Sequence, residues 1–228
     1  MGAEIVWLVI SMGAFVGTHF LLAHQLRAGL VKRFGASGFQ VIYSLVAFAT
    51  FGWAVTVFGR IEPAPMLWDG QALIPWVLAT VLTYGVVTLF LSSVIGNPAL
   101  PGAKVSGLST VIPTGVFRVT RHPMMFSFAL WAVTHIIIAP SPRSVILSSG
   151  IILLALLGSH FQDAKKRALL GQDWRMWMKR TSFWPDLSQL GGLGQAWLWA
   201  LPVWLLITWL HIPMAQVPAG PWRWLVLP

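Results

Sequence analysis

The sequence predicts an all-α, polytopic integral membrane protein, one bundle of about six transmembrane helices with a further helix at the interface. Three observations carry that prediction. Of the 228 residues, 57% are hydrophobic and only 9% charged, against about 25% charged in a typical soluble domain. The uncharged stretches fall into six runs, and Lys and Arg crowd into every second connection between them. Consecutive membrane helices pack into one body, so the chain reads as a single transmembrane domain over residues 1–228.

The first three runs, Ile5 to Ala23, Val41 to Phe58 and Ala72 to Ile95, meet or approach the roughly 20 residues that a spanning helix needs. Only Glu4, and no Lys or Arg, precedes the first run. It is therefore expected to be a retained helix rather than a secretory signal, which carries a basic leading segment. The fourth run, Met124 to Ala139, starts sharply, because Pro123 suits a first helical position and disfavours helical dihedrals at His122. It and the fifth and sixth, Val145 to Ser159 and Ala196 to Leu210, lie near the lower length limit of about 17 residues. Charge placement identifies them as spans. Between the last two, Gln162 to Arg180 mixes six Lys and Arg with Leu169, Leu170, Trp174 and Trp177, the composition of a helix lying among lipid headgroups.

Arg27, Lys32 and Arg33, then Lys104, Arg118 and Arg121, then Lys165, Lys166, Arg167, Arg175, Lys179 and Arg180 occupy alternate connections. The others hold Arg60, Arg143 and Arg223 alone. Twelve basic residues against three, by the positive-inside rule, put both termini on the non-cytoplasmic side. Fourteen Trp against two Tyr fit interfacial anchoring. The net charge of +9 points to the surface of a lipid bilayer and not to nucleic acid, since no soluble recognition module surrounds the basic residues. With no cysteine, thiolate zinc sites, iron–sulfur clusters and covalently attached haem are excluded.

The six runs contain no Asp, Glu, Lys or Arg, which removes carboxylate proton relays from their interior. Histidine remains: His19, His135 and His160 in or near apolar surroundings, with His24, His122 and His211 closer to span ends. A lone membrane histidine is most often a hydrogen-bonded packing residue. His19 and His135 make a stronger pair. His19 lies about 12 Å from the basic edge at Arg27, and His135 about 21 Å from the edge at Arg121, at the α-helical rise. Their helices run in opposite directions and side chains lean toward the N-terminus of their own helix, so the imidazoles lean toward each other. Two neutral histidines without cysteine or carboxylate neighbours suit a b-type haem better than zinc. Arg118 and Arg121, with Arg27 behind them, are candidates for its propionates, although membrane topology alone accounts for them equally.

Gly115-Val-Phe-Arg-Val-Thr-Arg-His-Pro-Met-Met-Phe-Ser-Phe-Ala-Leu-Trp-Ala-Val-Thr-His135 resembles the signature of the NnrU family. His19 with Gln25-Leu-Arg27, Gly38-Phe-Gln-Val-Ile-Tyr-Ser-Leu-Val46, Gly171-Gln-Asp-Trp174 and Arg180-Thr-Ser-Phe-Trp-Pro185 follow the same family in the same order. The resemblance spans about Gly13 to Pro185. It implies a multi-pass protein of the bacterial inner membrane linked to denitrification and nitrogen-oxide metabolism. The family is similar in turn to the 15-cis-zeta-carotene isomerases, membrane enzymes with haem b, which implies metal ligands at His19 and His135. His122 is the third motif histidine, placed with Arg118 and Arg121 at the haem edge. An apolar lipid or polyene would be the substrate of a haem-dependent isomerase. This chain departs from the isomerase pattern at Met124-Met125-Phe126 and has no Cys near His135.

Two alternatives stay open. The Arg121-His-Pro123 stretch is also similar to isoprenylcysteine and phospholipid methyltransferases, which bind S-adenosylmethionine there, but Gln162-Asp163 stands where those enzymes pair two Glu. The other is a membrane assembly factor without cofactor.

Overall fold

The computed structural model describes residues 2–100, 103, 105 and 107–226, and among them there is no strand. Helix α1 (Ala3–Phe20) runs on as a π-helical turn, Leu21–Gln25, and α2 covers Arg27–Arg60. They are followed by α3 (Leu73–Ser93), the single turn α4 (Val116–Val119), α5 (Pro123–Ile138) and α6 (Pro142–Leu170). Then come α7 (Gln172–Arg180), a 3-10 segment at Leu187–Leu193, α8 (Ala196–Ala215) and α9 (Trp222–Val226).

Five of these, α1 with its π turn, α2, α3, α6 and α8, are long and apolar enough to cross a membrane, and α5 is a shorter apolar helix of 16 residues. The six predicted runs thus each become a helix. Large apolar side chains face outward, Leu45 64% exposed, Ile74 79% and Trp199 74%, as lipid rather than water allows. Inward, small hydroxyl residues take the contacts. Ser11, Thr88, Ser127, Thr134 and Ser159 are buried, and each hydroxyl donates to a carbonyl three or four residues back. Residues of that size let helix backbones approach closely in a solvent without a hydrophobic driving force.

Local chemistry explains several boundaries. Pro123 occupies the first turn of α5, behind His122 in a non-helical backbone (φ −119°, ψ 49°). Ser141 caps α6 by accepting from the Ser144 N–H, ahead of Pro142. The basic segment expected as one interfacial helix is divided: α6 continues to Leu170, and Gly171, at φ +54°, turns the chain into α7. Trp174 and Trp177 on α7 are buried in the protein against Phe117 and Asp163, not set among headgroups. In α2, Gly35 at φ +72° kinks the helix.

The membrane helices pack in the order α2, α1, α6, α5, α3, α8, an arc rather than a closed ring. Long-range contacts fix its polarity. Arg121 and His122 at the start of α5 bond to residues near the end of α6, and Lys166 of α6 bonds to carbonyls just beyond α3. At the other end, Arg143 of α6 donates to the carbonyls of Phe58 and Ile61, and Arg223 donates to that of Gln71. The described residues of the densely basic connections therefore gather at one end, and Arg60, Arg143 and Arg223 at the other. Lys104 lies outside the described residues.

Candidate functional site

Curling six helices into an arc leaves a cavity of about 1380 Å³ inside it, larger than the roughly 300–1,000 Å³ of ordinary small-molecule pockets. All six membrane helices line it. Its walls are apolar and rich in aromatics, among them Phe15, Phe51, Phe90, Phe128 and Trp131.

His19 lines this cavity from α1. Its Nδ1 lies 3.0 Å from the Phe15 carbonyl one turn back, and its ring packs against Phe15 (4.5 Å between centroids) and Tyr43 (5.1 Å). A carbonyl can only accept, so the proton belongs on Nδ1 and the Nε2 lone pair is left available, the arrangement that second-shell bonding imposes on metal-binding histidines. His135 repeats it: its Nδ1 lies 2.8 Å from the Trp131 carbonyl. His135 falls on the same α5 face as Phe128 and Trp131, by the spacing of three and four residues. It does not itself line the cavity. Trp131 does, and its indole lies over the His135 ring at 4.0 Å. His211 on α8 is within electrostatic reach of His135. The structure therefore sets His19 and His135 on helices that flank α6, but only His19 in the cavity wall. Among the described residues no three or more His, Asp or Glu gather to hold a bare metal ion.

His122, Arg121 and Arg118, expected at the edge of a haem, have other surroundings. Arg121 donates Nε and Nη2 to Oδ2 of Asp163 (2.9 and 2.7 Å) and Nη1 to the Thr181 carbonyl (3.1 Å). His122, 1% exposed, sets Nε2 3.0 Å from the other Asp163 oxygen and Nδ1 3.2 Å from Oε1 of Gln162. Trp174 Nε1 also donates to Asp163. The chain is held there by a short backbone pairing, Arg121 N–H to the Ser182 carbonyl and Asp186 N–H to that of Val119. Arg118 is exposed beside the Leu187–Leu193 turn. None of the three lines the cavity. Arg121 thus carries its carboxylate partner within its own chain; the sequence singles out Asp163 only against the paired Glu of the methyltransferases, and its pairing with Arg121, 42 residues away, is a tertiary contact.

The basic residues that do reach the cavity are Arg27, Lys165 and Lys166, with Gln40 and Gln162 beside them. His24 lines it as well, although its position near a span end gave no reason to expect that.

A family model described as "NnrU: NnrU protein" matches residues 7–219 of the chain. Among curated proteins, the chain is 30% identical over 79 residues to the chloroplastic 15-cis-zeta-carotene isomerase of Zea mays. That stretch is 35% of this chain and 22% of the maize protein. No solved structure matches.

Proposed function

The chain belongs to the NnrU family, and from that premise we propose that its cavity binds haem b and serves a membrane-embedded isomerisation of an apolar polyene. The observation that carries this reading is His19, its Nδ1 fixed by a carbonyl and its Nε2 free, in the wall of a large apolar cavity. Supporting it, the matched relative is named as an isomerase of zeta-carotene. The residues present fit the group: an imidazole with a free lone pair, apolar aromatic walls, and cationic side chains at one end of the cavity.

In this reading His19 would hold the iron from α1, and His135, with Nε2 equally free, would hold it from α5 once the Trp131 indole leaves its face. When bound, the haem would perturb the conjugated system of the polyene enough for a cis double bond to rotate. Phe15, Phe51, Phe90 and Phe128 would exclude water and hold a rod-like hydrocarbon against the cofactor. The arc is open between α2 and α8, which are not packed together, and this gap would admit a substrate directly from the bilayer. The physiological setting implied by the family is nitrogen-oxide metabolism in the bacterial inner membrane, and the sorting of Lys and Arg would put both termini on the non-cytoplasmic side.

The test is an absorbance spectrum of the purified protein. A Soret band that sharpens on reduction is expected. His19→Ala and His135→Ala should each convert a six-coordinate low-spin spectrum to a five-coordinate one or lose the haem. His160→Ala, on an exposed ring outside the cavity, should leave the spectrum as it was. A protein purified after expression with haem supplementation and lacking any Soret band would refute the reading.

A further inference from the structure

One end of the cavity is built unlike the rest. Arg27 at the start of α2 and Lys165 and Lys166 near the end of α6 all line it, in a cavity whose remaining walls are mostly apolar, with His19, His24, Gln40 and Gln162 among the polar exceptions. The Lys165 ammonium is within electrostatic reach of both Arg27 and Lys166. Three like charges facing one space repel one another, and in an apolar surround that repulsion is weakly screened. Neutralisation from within is missing: among the described residues, the salt bridges are those that Asp163 makes with Arg121 and His122, and none involves Arg27, Lys165 or Lys166. Asp163 is turned away to that pairing.

Two of the three side chains are held in place, and none is used up. Arg27 lies over the Phe39 ring, 4.8 Å from its centroid. Lys166 donates to the carbonyls of Pro98 (2.7 Å) and Leu100 (3.5 Å), leaving one of its three N–H donors. Lys165 has no hydrogen-bond partner among the described residues. Topology requires basic residues at this end of the bundle, but not that they point into a cavity when headgroups lie outside. Gln40 and Gln162 add neutral polar lining at the same end, and the Gln162 amide is oriented by donating to the Ala99 carbonyl (3.1 Å).

We propose that Arg27, Lys165 and Lys166 form an anion subsite that fixes the acidic head of an amphiphile whose apolar body fills the cavity. The head is a carboxylate or a phosphate. Two sources share that chemistry: the propionates of a haem, in which case the subsite rests on the functional reading above, and the phosphate of an anionic lipid, in which case it does not. Either head completes the donors of Lys165 and Arg27 and neutralises the cluster.

The test pairs each acid with its neutral analogue. The purified full chain is titrated with haem b and with haem dimethyl ester, read by the Soret shift, and separately with phosphatidic acid and diacylglycerol of the same acyl chains, read by native mass spectrometry. A preference of at least tenfold for the acid over its neutral partner is expected in at least one pair. It should fall at least tenfold in Arg27→Gln/Lys165→Gln/Lys166→Gln and persist in Arg27→Lys/Lys165→Arg/Lys166→Arg. If the triple neutral variant does not fold, Lys165→Gln alone should lower the preference about threefold. No preference in either pair, or a preference unchanged by neutralisation, overturns the subsite. Failure of the wild type to take up either haem overturns the functional reading alone, and the lipid pair then decides the subsite.

Discussion

Replacing Asp163 by Ala would remove the acceptor of four donors at once: two from Arg121, one from His122 and one from Trp174. Arg121 and Asp163 are nearly buried, with side chains 8% and 5% exposed. Stripping one partner from such a pair leaves an uncompensated charge and costs about 3–5 kcal/mol. The orphaned Trp174 N–H adds about 1 kcal/mol. Against a total stability of about 5–15 kcal/mol, the variant should lose a large fraction of the whole. The double variant Arg121→Met/Asp163→Leu should recover most of the loss, because replacing a whole buried pair by apolar groups is often neutral. Reversible unfolding in mixed micelles, titrated with dodecyl sulfate and followed by tryptophan fluorescence, measures both. A single variant within about 1 kcal/mol of wild type would refute the argument that this pair is desolvated and needed. So would a double variant no more stable than the single.

Further consequences can be checked separately. Gly171→Ala puts a side chain at φ +54° with no atom within 4 Å to clash, so the loss should be backbone strain alone, about 1–3 kcal/mol in the same assay; an unchanged midpoint contradicts it. S-adenosylmethionine should not bind, because Arg121, which would meet its carboxylate, is already paired with Asp163. Saturable calorimetric binding at micromolar concentration, lost in Arg121→Ala, would revive the methyltransferase reading. Tags at both termini should be cleaved by protease added to intact spheroplasts, as should a tag at Arg60. Protection of all three reverses the orientation.

How much of this was legible in advance follows from the range of each interaction. Hydropathy and charge density are local, so six runs and their basic connections could be read directly, and all six form helices with the described basic residues sorted to the two ends. Pro123 and Gly171 act on their own backbone, at the start of α5 and at the end of α6. Of the histidine pair, turn spacing could place His135 on the face of α5 that carries Phe128 and Trp131, but not the side-chain arrangement that lays the Trp131 indole over its ring.

The sequence by itself determined the solvent this chain folds in, the number of its apolar helices and the sorting of its charges, because each depends on residues adjacent along the chain. Only the tertiary structure decided which charges are paired and which face the cavity. Asp163 meets Arg121 and His122 across some 40 residues, while Lys165 and Lys166, two and three positions further round the same helix, turn inward with Arg27. A helix advances its side chains by about 100° per residue, so neighbours in sequence are sent to different environments. Which one each meets is set by where the other helices stand.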